Sequence, residues 1–144
     1  MHEYGPVFSP DGRWIAYTSD ESGKWQVFVR PASGATTKWP ISNTGGRLPV
    51  WSKTGHELFY EDIDNRIMTV EYTAGGDSFV PGRRRVWCDK PIYSPGRMNL
   101  DIEPNGKRFA VMQALEPADS SKGGTQVVML LNFFDELKRR IPTR

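Results

Sequence analysis

Short apolar runs, each broken by a tight polar turn, recur three times along the chain. They are VFSPDGRWIAYTS at Val7–Ser19, VWSKTGHELFYED at Val50–Asp62 and DIEPNGKRFAVMQ at Asp101–Gln113. In each, an apolar strand enters Pro-Asp-Gly, Lys-Thr-Gly or Pro-Asn-Gly. A second strand then leaves with apolar residues alternating, Trp14/Ala16, Leu58/Tyr60 and Phe109/Val111 among them. Alternation with period two is the mark of a half-buried strand. Gly12, Gly55 and Gly106 are expected to supply the positive φ of a tight hairpin, with Asp11 and Asn105 favoured just before it. The glycines lie 43 and then 51 residues apart. That period predicts repeated β-units, most naturally blades of a propeller.

Taken in order, the first unit predicts strands at Tyr4–Phe8, Trp14–Thr18, Trp25–Arg30 and Lys38–Ser42, the last with Pro40 suited to an outer edge. The second predicts Leu48–Trp51, Glu57–Glu61, Arg66–Tyr72 and Arg84–Cys88, with AGGD and VPG forming its last turn. The third predicts Met98–Ile102, Lys107–Gln113 and Gln126–Leu131, with a polar insertion at Glu116–Gly124. Blade limits fall near 1–43, 44–90 and 91–131. A helix is expected over 132–141: Asn132 caps it, Asp135 and Glu136 sit at its positive end, Lys138–Arg140 at its negative end, and Pro142 stops it. Its apolar side, Phe133, Phe134, Leu137 and Ile141, is expected to cover the exposed edge or end of the last blade. The alternative is a surface tail.

Composition agrees with many short strands: 14 Gly and 11 Pro supply turns, and five Trp, five Tyr and seven Phe supply packing. At 144 residues the chain is long enough to bury a core as one domain. A net charge of +2 sets up no field that would draw nucleic acid or an acidic membrane. Arg83–Arg85 and Lys138–Arg140, the two basic runs, are expected to be solvated surface. One cysteine, Cys88, allows no intrachain disulfide, and no apolar run nears the roughly 20 residues that span a bilayer. The opening MHEYGP lacks the basic and apolar regions of a signal peptide, so a chain expressed in this form is expected in the cytoplasm.

FSPDGRWIAYTSDESGKWQVFV resembles the TolB-type propeller repeat, whose units begin with an aromatic-Ser-Pro-Asp-Gly strand and turn. DIEPNGKRFAVM and VVMLLNFFDELKRRIP are similar to the terminal blade of TolB-like propellers appended to bacterial serine/threonine kinases and transcriptional regulators. The resemblance covers nearly the whole chain and is specific for fold rather than activity. It implies the C-terminal three blades of a longer propeller, beginning at an internal methionine. Lys53-Thr54 departs from the family's Pro-Asp, so that turn has drifted.

Three twisted sheets cannot close a ring, and an open set leaves two apolar faces bare. The expected architecture is therefore an all-β propeller segment of three antiparallel blades plus a C-terminal helix, completed as a six-bladed ring by a homodimer. A monomer shielded by the helix is the alternative. Residues leading into the innermost strands would line the channel mouth: His2, Glu3 and Tyr4, then Arg47, then Arg97, Asn99 and Asp101. His2, Glu3 and Asp101 are candidate ligands for a divalent cation. Arg47 and Arg97, with Asn99 and Tyr4, are candidates for holding a small anionic ligand. With a metal bound, Asp101 and Glu3 would be the candidate catalytic carboxylates of an esterase, lactonase or phosphotriesterase. Asp101 equally suits a purely structural role on backbone donors.

The acidic link Glu61–Asn65 is a solvated turn or a cation site without EF-hand spacing. His56 occupies a turn position that Arg13 and Lys107 fill in the other units and is expected to be exposed. H-E-x-x-H, paired-Cys, P-loop and G-x-S-x-G motifs do not occur. The function expected is a non-catalytic binding scaffold for itself, a small anion or a protein partner. The metal-dependent hydrolase is the alternative.

Overall fold

The computed structural model describes residues 1–92, 100–104, 106–113 and 126–131, and every described element is a strand. The first sheet runs in sequence order through β1 (Glu3–Phe8), β2 (Trp14–Ser19), β3 (Gln26–Pro31) and β4 (Trp39–Pro40). The second runs through β5 (Arg47–Trp51), β6 (Glu57–Glu61), β7 (Ile67–Gly75) and β8 (Ser78–Cys88). The third contains β9 (Leu100–Ile102), β10 (Arg108–Gln113) and β11 (Gln126–Leu131). All pairings are antiparallel between chain neighbours. The expected helix over 132–141 lies outside the described residues.

One hydrogen bond fixes the correspondence between the three units. The amides of Ser9, Ser52 and Glu103 donate to the carbonyls of Trp14, Glu57 and Arg108, each at 2.9 Å. Phe8, Trp51 and Ile102 are therefore equivalent. So are Ile15, Leu58 and Phe109, then Ala16, Phe59 and Ala110, then Tyr17, Tyr60 and Val111.

The turns divide as their residues dictate. Gly12 and Gly106 adopt φ of 70° and 73° and donate to the carbonyls of Ser9 and Glu103. Asp11 closes the first turn by accepting from Ser9 Oγ at 2.5 Å and from the Arg13 amide at 3.1 Å. Gly55 corrects the expectation: it is not among the positive-φ glycines, and its amide donates to the Ser52 side chain at 3.0 Å. Without Pro-Asp, a hydroxyl takes the place of the backbone carbonyl and the left-handed step disappears.

Two strand expectations also change. The fourth strand is only Trp39–Pro40, because Pro40 has no amide to donate and Ser42 Oγ already takes the Val27 amide at 2.9 Å. The second unit's last hairpin is far longer than expected. AGGD holds its turn, with Gly76 at φ 56°, but Val80-Pro81-Gly82 lies inside β8 at a register shift rather than in a turn. A Cβ on Gly82 would stand 2.8 Å from the Glu71 carbonyl, so glycine permits the strands' close approach there.

Side chains alternate between the two faces of each sheet, and the core follows from that. Between sheets one and two lie Trp14, Ala16, Val27, Val29 and Ile41 against Trp51, Leu58, Tyr60, Val70 and Phe79. Between sheets two and three lie Phe59, Ile67 and Cys88 against Leu100, Ile102, Phe109 and Val111. The long β7–β8 hairpin locks the first pair. Phe79 stacks on Tyr72 at 4.9 Å and meets Trp14 at 5.2 Å, Trp39 at 5.8 Å and Trp51 at 6.2 Å. Arg13 donates to the Gly76 carbonyl at the hairpin tip, and Arg84 to the carbonyls of Ile41 and Pro40.

Burial raises the phenols of Tyr4, Tyr17, Tyr60 and Tyr72 above their ordinary 10.0. The folded chain holds these protons more tightly than the unfolded one. Their contribution to stability is therefore intact below 10.0 and is lost as pH rises through the raised values. Urea midpoints should stay level up to that point and fall beyond it; a rising midpoint would contradict the burial of these rings.

Candidate binding rim at the inner strand ends

The first strands of sheets one and two begin alike, Tyr4-Gly5-Pro6-Val7 and Arg47-Leu48-Pro49-Val50. Each carries a register irregularity over this stretch, and each has a positive φ at its second residue, 63° at Gly5 and 53° at Leu48. Leucine pays steric strain for that conformation and is nonetheless buried. These equivalent bulges set the positions of Tyr4 and Arg47.

Arg47 donates from Nε and Nη2 to Glu61 Oε1 at 3.2 and 2.8 Å, and from Nη2 to Asn65 Oδ1 at 2.8 Å. Asn65 holds its amide there at φ 59°, a conformation asparagine tolerates. The Glu61 side chain is fully buried, and its Oε2 has no hydrogen-bond partner among the described residues. Thr18 occupies the equivalent position in sheet one, and its buried hydroxyl bears on the Tyr4 phenol. Tyr4 packs edge-on against Trp25 at 5.1 Å. Burial lifts its phenol, while the nearby Arg47 charge opposes that rise.

Beside Arg47 is a hollow of about 250 Å³ bordered by Lys24, Trp25, Gly45, Gly46 and Ile63. The Gly46 amide donates to the Trp25 carbonyl at 2.9 Å. A Cβ on Gly46 would come within 2.7 Å of Ser42 and 2.9 Å of Tyr60, so only glycine fits this floor. Exposed Trp25 and Ile63 offer apolar walls, Lys24 and Asp62 bring one charge of each sign, and the Arg47 charge is met by Glu61. The lining offers apolar surface with a few polar groups at its edge.

The acidic link forms an ion-paired turn. Asp62 Oδ1 accepts from the amides of Asp64 and Arg66, each at 2.9 Å, and Oδ2 accepts from Arg66 Nε at 2.9 Å. Arg66 also reaches Asp64 at 2.8 Å. The other sequence candidates are dispersed. His2 meets Asp20 through its amide at 2.6 Å and its Nδ1 at 3.0 Å, and these bonds hold the Asp20 carboxyl below its ordinary range. Glu3 is exposed beside a separate hollow with Tyr17 and Arg30. Asp101 is exposed and accepts from the Ile102 amide at 2.8 Å. Arg97 and Asn99 lie outside the described residues. Among the described residues, no three His, Cys, Asp or Glu side chains form a group able to hold a metal ion.

The structure thus joins Tyr4 to Arg47 and adds Glu61, Asn65 and Trp25, which sequence reasoning left out of the site. The repeated Pro-Val after Tyr-Gly and Arg-Leu is the available signal for the bulges. His56 is exposed as expected, edge-on to Tyr72 at 5.6 Å. In the Arg83–Arg85 run, Arg84 binds backbone carbonyls and Arg85 bridges Glu57 and Glu71, at 3.2 and 2.6 Å.

No family model and no curated protein matches the chain. Solved structures with some similarity include a protein described as TolB from Agrobacterium tumefaciens, at 21% identity and a TM-score of 0.42, over 65% of this chain and 39% of that one. Another is TolB from Acinetobacter baumannii, at 12% identity and a TM-score of 0.40, over 92% of this chain and 41% of that one. The chain spans about two-fifths of the length of these structures.

Proposed function

We propose that the chain is a TolB-like β-propeller segment of three blades that works as a non-catalytic interaction scaffold and completes itself by homodimerisation. The observation behind this reading is the state of one set of equivalent positions. Trp51, Leu58 and Tyr60 are 5%, 0% and 2% exposed against sheet one, and Ile102, Phe109 and Val111 are 2%, 0% and 3% exposed against sheet two. Their counterparts on sheet one have no described sheet to meet, and Phe8 is 66% exposed with Ile15 only half-buried beside it. Tyr17 is buried by stacking on Phe28, over which Lys38 lies. A face built on the repeat's own packing positions calls for another sheet of the same kind.

Phe8→Arg tests this. The parent chain should sediment as a dimer and the variant as a monomer with unchanged circular dichroism, because position 8 contributes little to the folded monomer's interior. Equal sedimentation of the two chains would remove the proposed role of this face. The competing reading is a hydrolase with a divalent metal at the channel mouth. It requires chelator-sensitive turnover of activated esters or phosphotriesters, and detecting such turnover would replace the scaffold reading.

A further inference from the structure

Both contacts between sheets among the described residues have the same direction. The earlier sheet presents the Ala16 position, and the later sheet presents the Ile15 and Tyr17 positions. Ala16 thus packs with Leu58 and Tyr60, and Phe59 with Phe109 and Val111. The two faces of a sheet are not interchangeable in such a stack. Whatever covers Phe8, Ile15 and Tyr17 in the manner of the two existing contacts must present a position equivalent to Ala16 and Phe59. In this chain one such position stands outside both clusters: Ala110, half-buried on β10.

We infer that the open face of sheet one in each copy docks on the Ala110 side of sheet three in the second copy. The inference rests on the dimer reading and adds its geometry. A twofold axis then makes the contact twice, from sheet one to sheet three and back, so all six sheets are covered. A symmetric contact of sheet one with its own copy would leave the Ala110 side of sheet three without a sheet against it among the described residues. The sequence of β11 agrees. QVVMLL is apolar at five successive positions, the pattern of a strand that buries both faces, and its Met129 is paired in register with Ala110.

Position 30 allows the contact to be trapped without removing Phe8. Arg30 is the exposed register partner of Ile15, and its equivalent on β7, Val70, is 1% exposed within the existing contact. In a Cys88→Ala background, chains carrying Arg30→Cys and chains carrying Ala110→Cys are mixed and treated with a short bifunctional maleimide. The mixture should shift from the monomer band to a covalent dimer, and neither chain alone should do so. Arg30→Cys linking to itself, or a dimer by mass whose mixture stays unlinked, would overturn the inference while leaving the dimer reading intact. A monomeric mass together with an unlinked mixture would overturn both.

Discussion

Replacing Phe79 with alanine should lower stability by about 3–5 kcal/mol, the cost of emptying a fully packed aromatic site. The expected fall in Tm is roughly 3 °C for each kcal/mol in a chain of this size. Phe79 is 1% exposed and is contacted by rings from both of the first two sheets. Its removal leaves a cavity that Trp14, Trp39, Trp51 and Tyr72 cannot all collapse into. Native stabilities are about 5–15 kcal/mol, so this change alone removes a large share. Val80, the next residue, is 57% exposed, and Val80→Ala should stay within about 0.5 kcal/mol of the parent. Urea denaturation of the two variants side by side makes the comparison. Similar midpoints would mean that the β7–β8 hairpin does not lock sheet two to sheet one.

The second large effect concerns Arg47. Arg47→Ala should destabilise the chain by about 3–5 kcal/mol, because it strands the Glu61 carboxylate in the interior without a counter-charge. Adding Glu61→Gln should recover most of that loss, since a neutral amide is far cheaper to bury than an unpaired anion. The double-variant cycle separates two roles for this arginine. If Arg47 served only an incoming anion, Arg47→Ala would leave the denaturation midpoint unchanged and Glu61→Gln would have nothing to restore.

The repeat was legible because it is written in backbone chemistry. Glycine at positive φ, proline before the turn and strict alternation act locally, so Gly12, Gly106 and the paired strands β5 and β6 follow from neighbours in sequence. Where side chains replace backbone, local reasoning fails. Ser52 closes its turn with a hydroxyl, and Gly55 consequently lacks the left-handed conformation assigned to it. The β7–β8 hairpin outruns its sequence expectation for a related reason. Pro81-Gly82 looks like a turn to a local rule, yet stacking of Phe79 on Tyr72 keeps both strands running past it.

The rim was half legible. Tyr4 and Arg47 are identifiable from their place at the start of inner strands. Glu61 is not, because an acidic residue next to Asp62 and Asp64 reads as solvated surface until Arg47 is brought beside it. His2, Glu3 and Asp101 share a place at strand starts in the sequence. In the structure His2 meets Asp20, and Asp101 accepts from the adjacent Ile102 amide.

The positions that make two sheets adhere within this chain recur on the outer face of the first, where no described sheet meets them. Light scattering on the unaltered chain through a dilution series into the low micromolar range addresses that most directly. The account predicts a mass twice the 16.3 kDa of one chain at the upper concentrations, passing to the single-chain value only on dilution. A mass of one chain at every concentration would contradict it.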